Sequence, residues 1–208
     1  MLACAESRHT STESVIGTPY AYRGQGPTGH RNRRGGDLSD HNFNTPPELL
    51  DKIRLLDPTR GIGLDPCSNI ASMVNARFSY YGSPGSDGLA CSWRGSRLVF
   101  MNPPHSMSPY NIEPWMHKAF QEFLLPIQSS GTTQFDQFVG LVPAKSDTAW
   151  FHDYVIHFPV RCFLRGRPKF WLNGAPMPGP GKFASMLIYA GNKPQLFRDI
   201  FGDMGWVV

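Results

Sequence analysis

Long apolar runs are missing from this chain: none approaches the roughly 18 residues that a membrane-spanning helix needs, and Met1 to Ala5 is too short for a secretory leader. A soluble, intracellular protein is expected. Cysteine is sparse as well. Cys4, Cys67, Cys91 and Cys162 form no Cys-x-x-Cys pair, which excludes a disulfide scaffold and favours a reducing compartment, with all four read as small buried residues. His117, His152 and His157 show no compact metal-ligand spacing, so each is expected to be structural and no metal is expected. No carboxylate pair, nucleophile triad or internal repeat stands out. Only 17% of the residues are charged, and the net charge of +4 permits an anionic partner such as nucleic acid without requiring one.

What is present is a chain of 208 residues, 40% hydrophobic, long enough for one well-buried core and short for two. Residues 1–41 are rich in Gly, Ser, Thr and Arg and carry no apolar periodicity, so a disordered arm is expected there. Its basic run, Arg31 to Gly36, reads as a solvated tail in preference to a phosphate contact. A folded domain is expected over residues 42–208. Thr45 and Glu48 have capping-box spacing, Pro46 suits a first helical turn, and Leu49, Leu50, Ile53 and Leu56 give one apolar face; a helix follows over about 46–56. Ile112, Trp115, Met116, Ala119, Phe120, Phe123 and Leu124 recur at helical spacing. Ser146 is placed to cap a further helix through Trp150, Phe151, Tyr154 and Val155.

Gly61–Leu64, Arg97–Met101, Phe138–Val142, Val160–Leu164 and Ser185–Ala190 read as strands, the last two separated by a Gly/Pro-rich loop. Strands alternating with helices predict an α/β fold with a doubly wound, mostly parallel sheet. Ligands of such sheets bind beyond the carboxyl ends of the strands. The loops at Asp65-Pro66, Asn102-Pro103-Pro104 and Pro143-Ala144-Lys145 should therefore line one cleft. Trp93, Trp115, Trp150 and Trp171 read as core or core-edge residues rather than base-stacking ones.

Asn102-Pro103-Pro104-His105, directly after the apolar run Leu98–Met101, carries the most chemistry. An Asn carboxamide oxygen and the carbonyl of the following proline can both accept hydrogen bonds from one NH2 group, in a backbone stiffened by two prolines. A planar side chain at the fourth position can stack on a base turned out of a helix. By itself the segment serves equally well as a proline turn closing a buried strand.

Taken in order, Phe43-x-Thr45-Pro46, Leu64-Asp65-Pro66-Cys67, Asp87-Gly88-Leu89 and Asn102-Pro103-Pro104-His105 resemble the S-adenosylmethionine-dependent DNA adenine-N6 methyltransferases, most closely the phage-type family. Leu141 to Thr148, Trp150-Phe151-His152 and Arg165 to Phe170 are similar to that family's downstream pattern, so the resemblance covers about residues 42–190. It implies a Rossmann-like methyltransferase domain, S-adenosylmethionine as cofactor, and double-stranded DNA with a flipped base as substrate. It also implies that Asn102 and Pro103 accept hydrogen bonds from the target amine, with Pro104 stiffening the turn and His105 stacking where the family more often has Tyr or Phe. Asp65 with Pro66 would face the methionyl amine of the cofactor, Phe43, Thr45 and Pro46 would line its pocket, and Asp87 with Leu89 would meet its adenosine. The stretch after Asp65 is not Gly-rich, and the short span to Asn102 leaves the intervening strand shortened or missing, with no ribose-binding acid to assign.

Each residue also has a structural use. Asp65 can cap the next turn and Asp87 can close a surface turn. Arg165, Arg167 and Lys169 alternate, so they can bind DNA phosphates or protect a solvated edge strand. Cytosine-N4 of DNA, an RNA base and a protein glutamine amide all present an NH2 on a planar carbon, and a non-catalytic nucleic-acid-binding relic would retain much of the same pattern.

Overall fold

The computed structural model describes residues 43–83, 85–104, 112–125 and 137–208; the arm over 1–41 and His105 lie outside them. The strands at the centre of the sheet are those whose sequence is most continuously apolar. β3 (Leu98–Met101), β4 (Gln137–Pro143) and β8 (Ser185–Ala190) are buried at every position, as strands covered on both faces must be. Around them lie β1 (Leu64–Asp65), β2 (Phe78–Ser79), β5 (Val160–Leu164) and β9 (Gly205–Val207), in the order β2-β1-β3-β4-β8-β5-β9. β2, β1, β3 and β4 are mutually parallel, β8 is antiparallel to both β4 and β5, and β9 is antiparallel to β5. Only β8 and β9 oppose the rest, so the sheet is mostly parallel.

Alternation along the strands sorts the core into two layers. Val99, Met101, Phe138 and Val142 face one side with Met116, Ala119 and Phe123 of α2 (Glu113–Phe123) and Trp150 and Phe151 of α3 (Ala149–Asp153). Leu98, Phe100, Val139 and Leu141 face the other, with Leu49, Leu50 and Ile53 of α1 (Pro47–Arg54) and Phe197 and Phe201 of α4 (Pro194–Phe201). Helices thus cover both faces. Each fully buried side chain such as Phe197 contributes about 1.5–3 kcal/mol through burial. A small hairpin, β6 (Trp171–Leu172) with β7 (Ala175–Pro176), stands apart from the main sheet. Its Asn173-Gly174 turn has φ of 51° and 79°, the left-handed pair of a two-residue hairpin.

Several local expectations are corrected. The capping box at Thr45 and Glu48 does not form: Pro46 is the N-cap of α1 and no side chain caps it. Thr45 is turned instead toward a residue far along the chain, a tertiary contact that overrides the local pattern. Ser146 does not cap α3, which starts after Thr148 without a side-chain cap; the Thr148 hydroxyl donates to the Lys145 carbonyl. The strand between Asp65 and Asn102 is present but only two residues long, and it runs into Tyr80 and Tyr81 rather than an acid. Arg165, Arg167 and Lys169 are exposed but lie in the loop between β5 and β6, not on an edge strand. Cys91 and Cys162 are buried, whereas Cys67 is partly accessible.

Candidate active site

β1 pairs with β2 on one side and β3 on the other, all parallel, so the direction of winding reverses at β1. Such a point opens a crevice beyond the carboxyl ends of the strands. Asp65 is the last residue of β1, and Asn102 immediately follows β3. β4 ends alongside at Pro143, which brings Ala144 and Lys145 to the same edge.

Asp65 is 3% exposed. Its Oδ1 accepts from the Cys67 N–H at 3.2 Å and its Oδ2 from the Ser72 hydroxyl at 3.1 Å. Burial pushes its carboxyl up to about 6 from 3.8, against hydrogen bonding from Ser68, Cys67 and Ser72. The capping role is therefore present, and both oxygens keep lone pairs for a further donor. The Cys67 thiol lies against both the Asp65 carboxylate and the Asn102 backbone N–H; burial and then the Asp65 charge raise it well above the usual thiol range. A thiol held so is protonated and not a nucleophile.

Asn102 donates from Nδ2 to Thr45 Oγ1 at 3.2 Å. Its Oδ1 is buried and accepts nothing. Among the described residues just two buried side-chain polar atoms lack a partner, Asn102 Oδ1 and Ser68 Oγ. Ser68 faces the Asp65 carboxylate closely enough to lower its pKa without a bond of ordinary geometry. Each such atom costs about 1–3 kcal/mol, and in a native fold it calls for an explanation such as an awaited ligand. Both atoms flank the switch point, Ser68 Oγ turned to the Asp65 carboxylate and Asn102 Oδ1 without a donor, so a molecule bound across the two loops would meet an open acceptor on Asn102.

Two further segments close on these loops. Asn44, 4% exposed, donates to the Ala71 carbonyl at 3.0 Å and accepts from Asn69 Nδ2 at 3.1 Å. Its backbone exchanges two hydrogen bonds with Trp171 of β6. Phe43, Thr45 and Pro46 are thereby fixed between the post-β1 loop, Asn102 and the hairpin. On the other side, a Cβ added to Gly88 would lie 1.8 Å from the Pro66 carbonyl oxygen. That contact presses the Asp87-Gly88-Leu89 turn onto Asp65-Pro66. Asp87 Oδ1 itself accepts from the Leu89 N–H at 2.9 Å, so the surface-turn role is also present.

A family model described as DNA N-6-adenine-methyltransferase (Dam) matches residues 42–191. The chain belongs to this family. No curated protein and no solved structure matches it. The Dam-family match makes the protein a DNA adenine-N6 methyltransferase and does not favour cytosine, RNA or relic alternatives. The family implies S-adenosylmethionine as methyl donor and DNA as substrate.

In this Dam-family chain the structure brings Thr45, Asp65, Pro66, Asp87, Leu89, Asn102, Pro103 and Pro104 to one side of the sheet. Arg165 and Arg167 line a shallow pocket with Pro46, Glu48 and Leu49 at the start of α1, and Lys169 is exposed two residues on. Among the described residues no cluster of three or more His, Cys, Asp or Glu is arranged to hold a metal, and no helix is long and apolar enough to cross a membrane. His117 packs at a tilt against Tyr154, His157 meets Phe120 edge-on, and His152 Nε2 bonds the Ser146 carbonyl. Sequence reasoning gave no role to Asn44, Ser68, Asn69 or Ser72. For Ser68, Asn69 and Ser72 the signal was the run of mostly small residues that stands in place of a Gly-rich loop.

Proposed function

We propose that the pocket at the carboxyl ends of β1 and β3 binds S-adenosylmethionine and a flipped adenine side by side, and that Asn102 and Pro103 present the adenine N6 amine to the methyl group. The observation that carries this reading is the buried Asn102 Oδ1, an acceptor without a donor. An exocyclic amine supplies the missing hydrogen bond. The Pro103 carbonyl takes the second amine hydrogen, and the two acceptors turn the nitrogen lone pair toward the donor. When bound, the cofactor supplies a methyl already activated by its positive sulfur. Held by Asp65, the cofactor would supply its methyl to N6, and the surplus amine proton would pass to water. Positioning supplies most of the acceleration.

Asp65 binds the methionyl ammonium, with Ser68 Oγ as an additional polar contact. Phe43, Pro46, Pro66 and the backbone of Thr45 line the pocket, and Asp87 with Leu89 meets the adenosine. Pro104 holds the turn, and His105 offers a flat face to the flipped base. Arg165, Arg167 and Lys169 contact DNA phosphates and set the duplex in register. Residues 42–208 form the methyltransferase domain.

Two substitutions test the two halves. Asp65→Ala should abolish calorimetric binding of S-adenosylmethionine. Asn102→Ala should bind it with unchanged affinity while losing tritiated-methyl transfer to DNA. Equal transfer by Asn102→Ala and the parent removes Asn102 from the mechanism.

A further inference from the structure

The family resemblance gives Thr45 to the cofactor pocket, but its hydroxyl is engaged elsewhere. Thr45 is 2% exposed, and its Oγ1 receives the Asn102 Nδ2 hydrogen at 3.2 Å across 57 positions of sequence. We propose that Thr45 is a positioning residue for Asn102, fixing the plane of the carboxamide so that Oδ1 meets the target amine; the inference rests on the amine-clamp reading above.

The carboxamide is nearly symmetric in shape, and rotation about its last torsion exchanges an acceptor for a donor. A donor amine is bound only when the oxygen faces it. With Nδ2 bonded to Thr45, the oxygen lies on the opposite side of the group. In the reverse orientation the Thr45 hydroxyl would donate to Oδ1 and the two Nδ2 hydrogens would face the amine's own donors, so only the observed orientation offers the amine an acceptor. Donation from Nδ2 also polarises the amide and strengthens Oδ1 as an acceptor. The support for Thr45 is itself rigid: Asn44 ties the preceding residue to Asn69, Ala71 and Trp171, and Pro46 next in sequence is buried. Loss of the hydroxyl leaves the carboxamide free to turn, which lowers the fraction of enzyme with its acceptor aligned. Cofactor affinity is unaffected.

The test uses the full chain, S-adenosylmethionine and unmethylated genomic DNA. Thr45→Val should lower kcat about 10- to 100-fold, with the calorimetric Kd for S-adenosylmethionine unchanged, and Thr45→Ser should restore most of the rate. In nitrogen-15 NMR spectra the Asn102 side-chain NH2 resonances should shift in Thr45→Val and return in Thr45→Ser. Thr45→Ala serves as a second variant if valine disturbs packing. Parent-like kcat in both the valine and alanine variants overturns the inference. So does a Kd that weakens in step with the rate, which assigns Thr45 to the cofactor. A parent that binds the cofactor yet methylates no DNA overturns the amine-clamp reading itself, a distinct result.

Discussion

Asp65 ionises less readily than a solvated aspartate because burial strips water from its charge, and its carboxyl is pushed up to about 6 from 3.8. The folded protein holds this proton more tightly than the unfolded chain does. The group therefore costs the fold nothing below pH 3.8, and the full penalty is present above about 6, on the order of 3 kcal/mol at 1.36 kcal/mol per unit. Stability should fall as pH rises through that window. Cofactor affinity has the opposite sign, since the ammonium needs the carboxylate: Kd for S-adenosylmethionine should rise about tenfold per unit as pH drops below 6. Calorimetry across pH 4.5–8 checks this, and Asp65→Asn should flatten the profile. At this scale the positions of Asp65 and Asn102 at strand ends were legible because each closes an apolar run. Thr45 was misread: capping-box spacing is a local pattern, and nothing local reveals a partner 57 residues away.

The elements owe their places to close approaches as much as to hydrophobic pattern. Gly88 has no Cβ, and one placed there would overlap the Pro66 carbonyl at 1.8 Å and crowd Trp115. Gly88→Ala must push the Asp87 turn off the Asp65 loop. We expect a loss of about 1–3 kcal/mol, read as a fall in Tm of roughly 2–4 °C per kcal/mol, together with weaker S-adenosylmethionine binding. A variant with parent Tm and parent Kd would show that the two segments need not touch. The long elements, β3, β4, β8 and α2, were legible because continuous or periodic apolar runs specify them. β2 was not, since its two residues carry no period. β6 and β7 are equally short, and only the Asn173-Gly174 turn between them leaves a signature in sequence.

Across the whole molecule, parallel β2, β1, β3 and β4 bring three loops to one edge, while β8, antiparallel and paired with β4, is followed by β5 and β9 to complete the sheet. That these loops gather at the strand ends was legible from alternating strands and helices; the strand order was not, because buried strands look alike in sequence. Arg165, Arg167 and Lys169 lie beside the start of α1, where Arg165 and Arg167 share a pocket with Pro46. Replacing all three with glutamine should weaken DNA binding and reduce the slope of log K against log salt by about 3, near 0.9 for each phosphate that is no longer neutralised. S-adenosylmethionine affinity should stay constant; an unchanged slope removes the loop from the interface. The central claim, methylation of adenine N6 through Asn102, is tested most directly by nucleoside mass spectrometry. Unmethylated genomic DNA is treated with S-adenosylmethionine and either the parent protein or Asn102→Ala. We predict N6-methyldeoxyadenosine with the parent and none with the variant; N4-methyldeoxycytidine, or equal N6-methyldeoxyadenosine from both proteins, would contradict it.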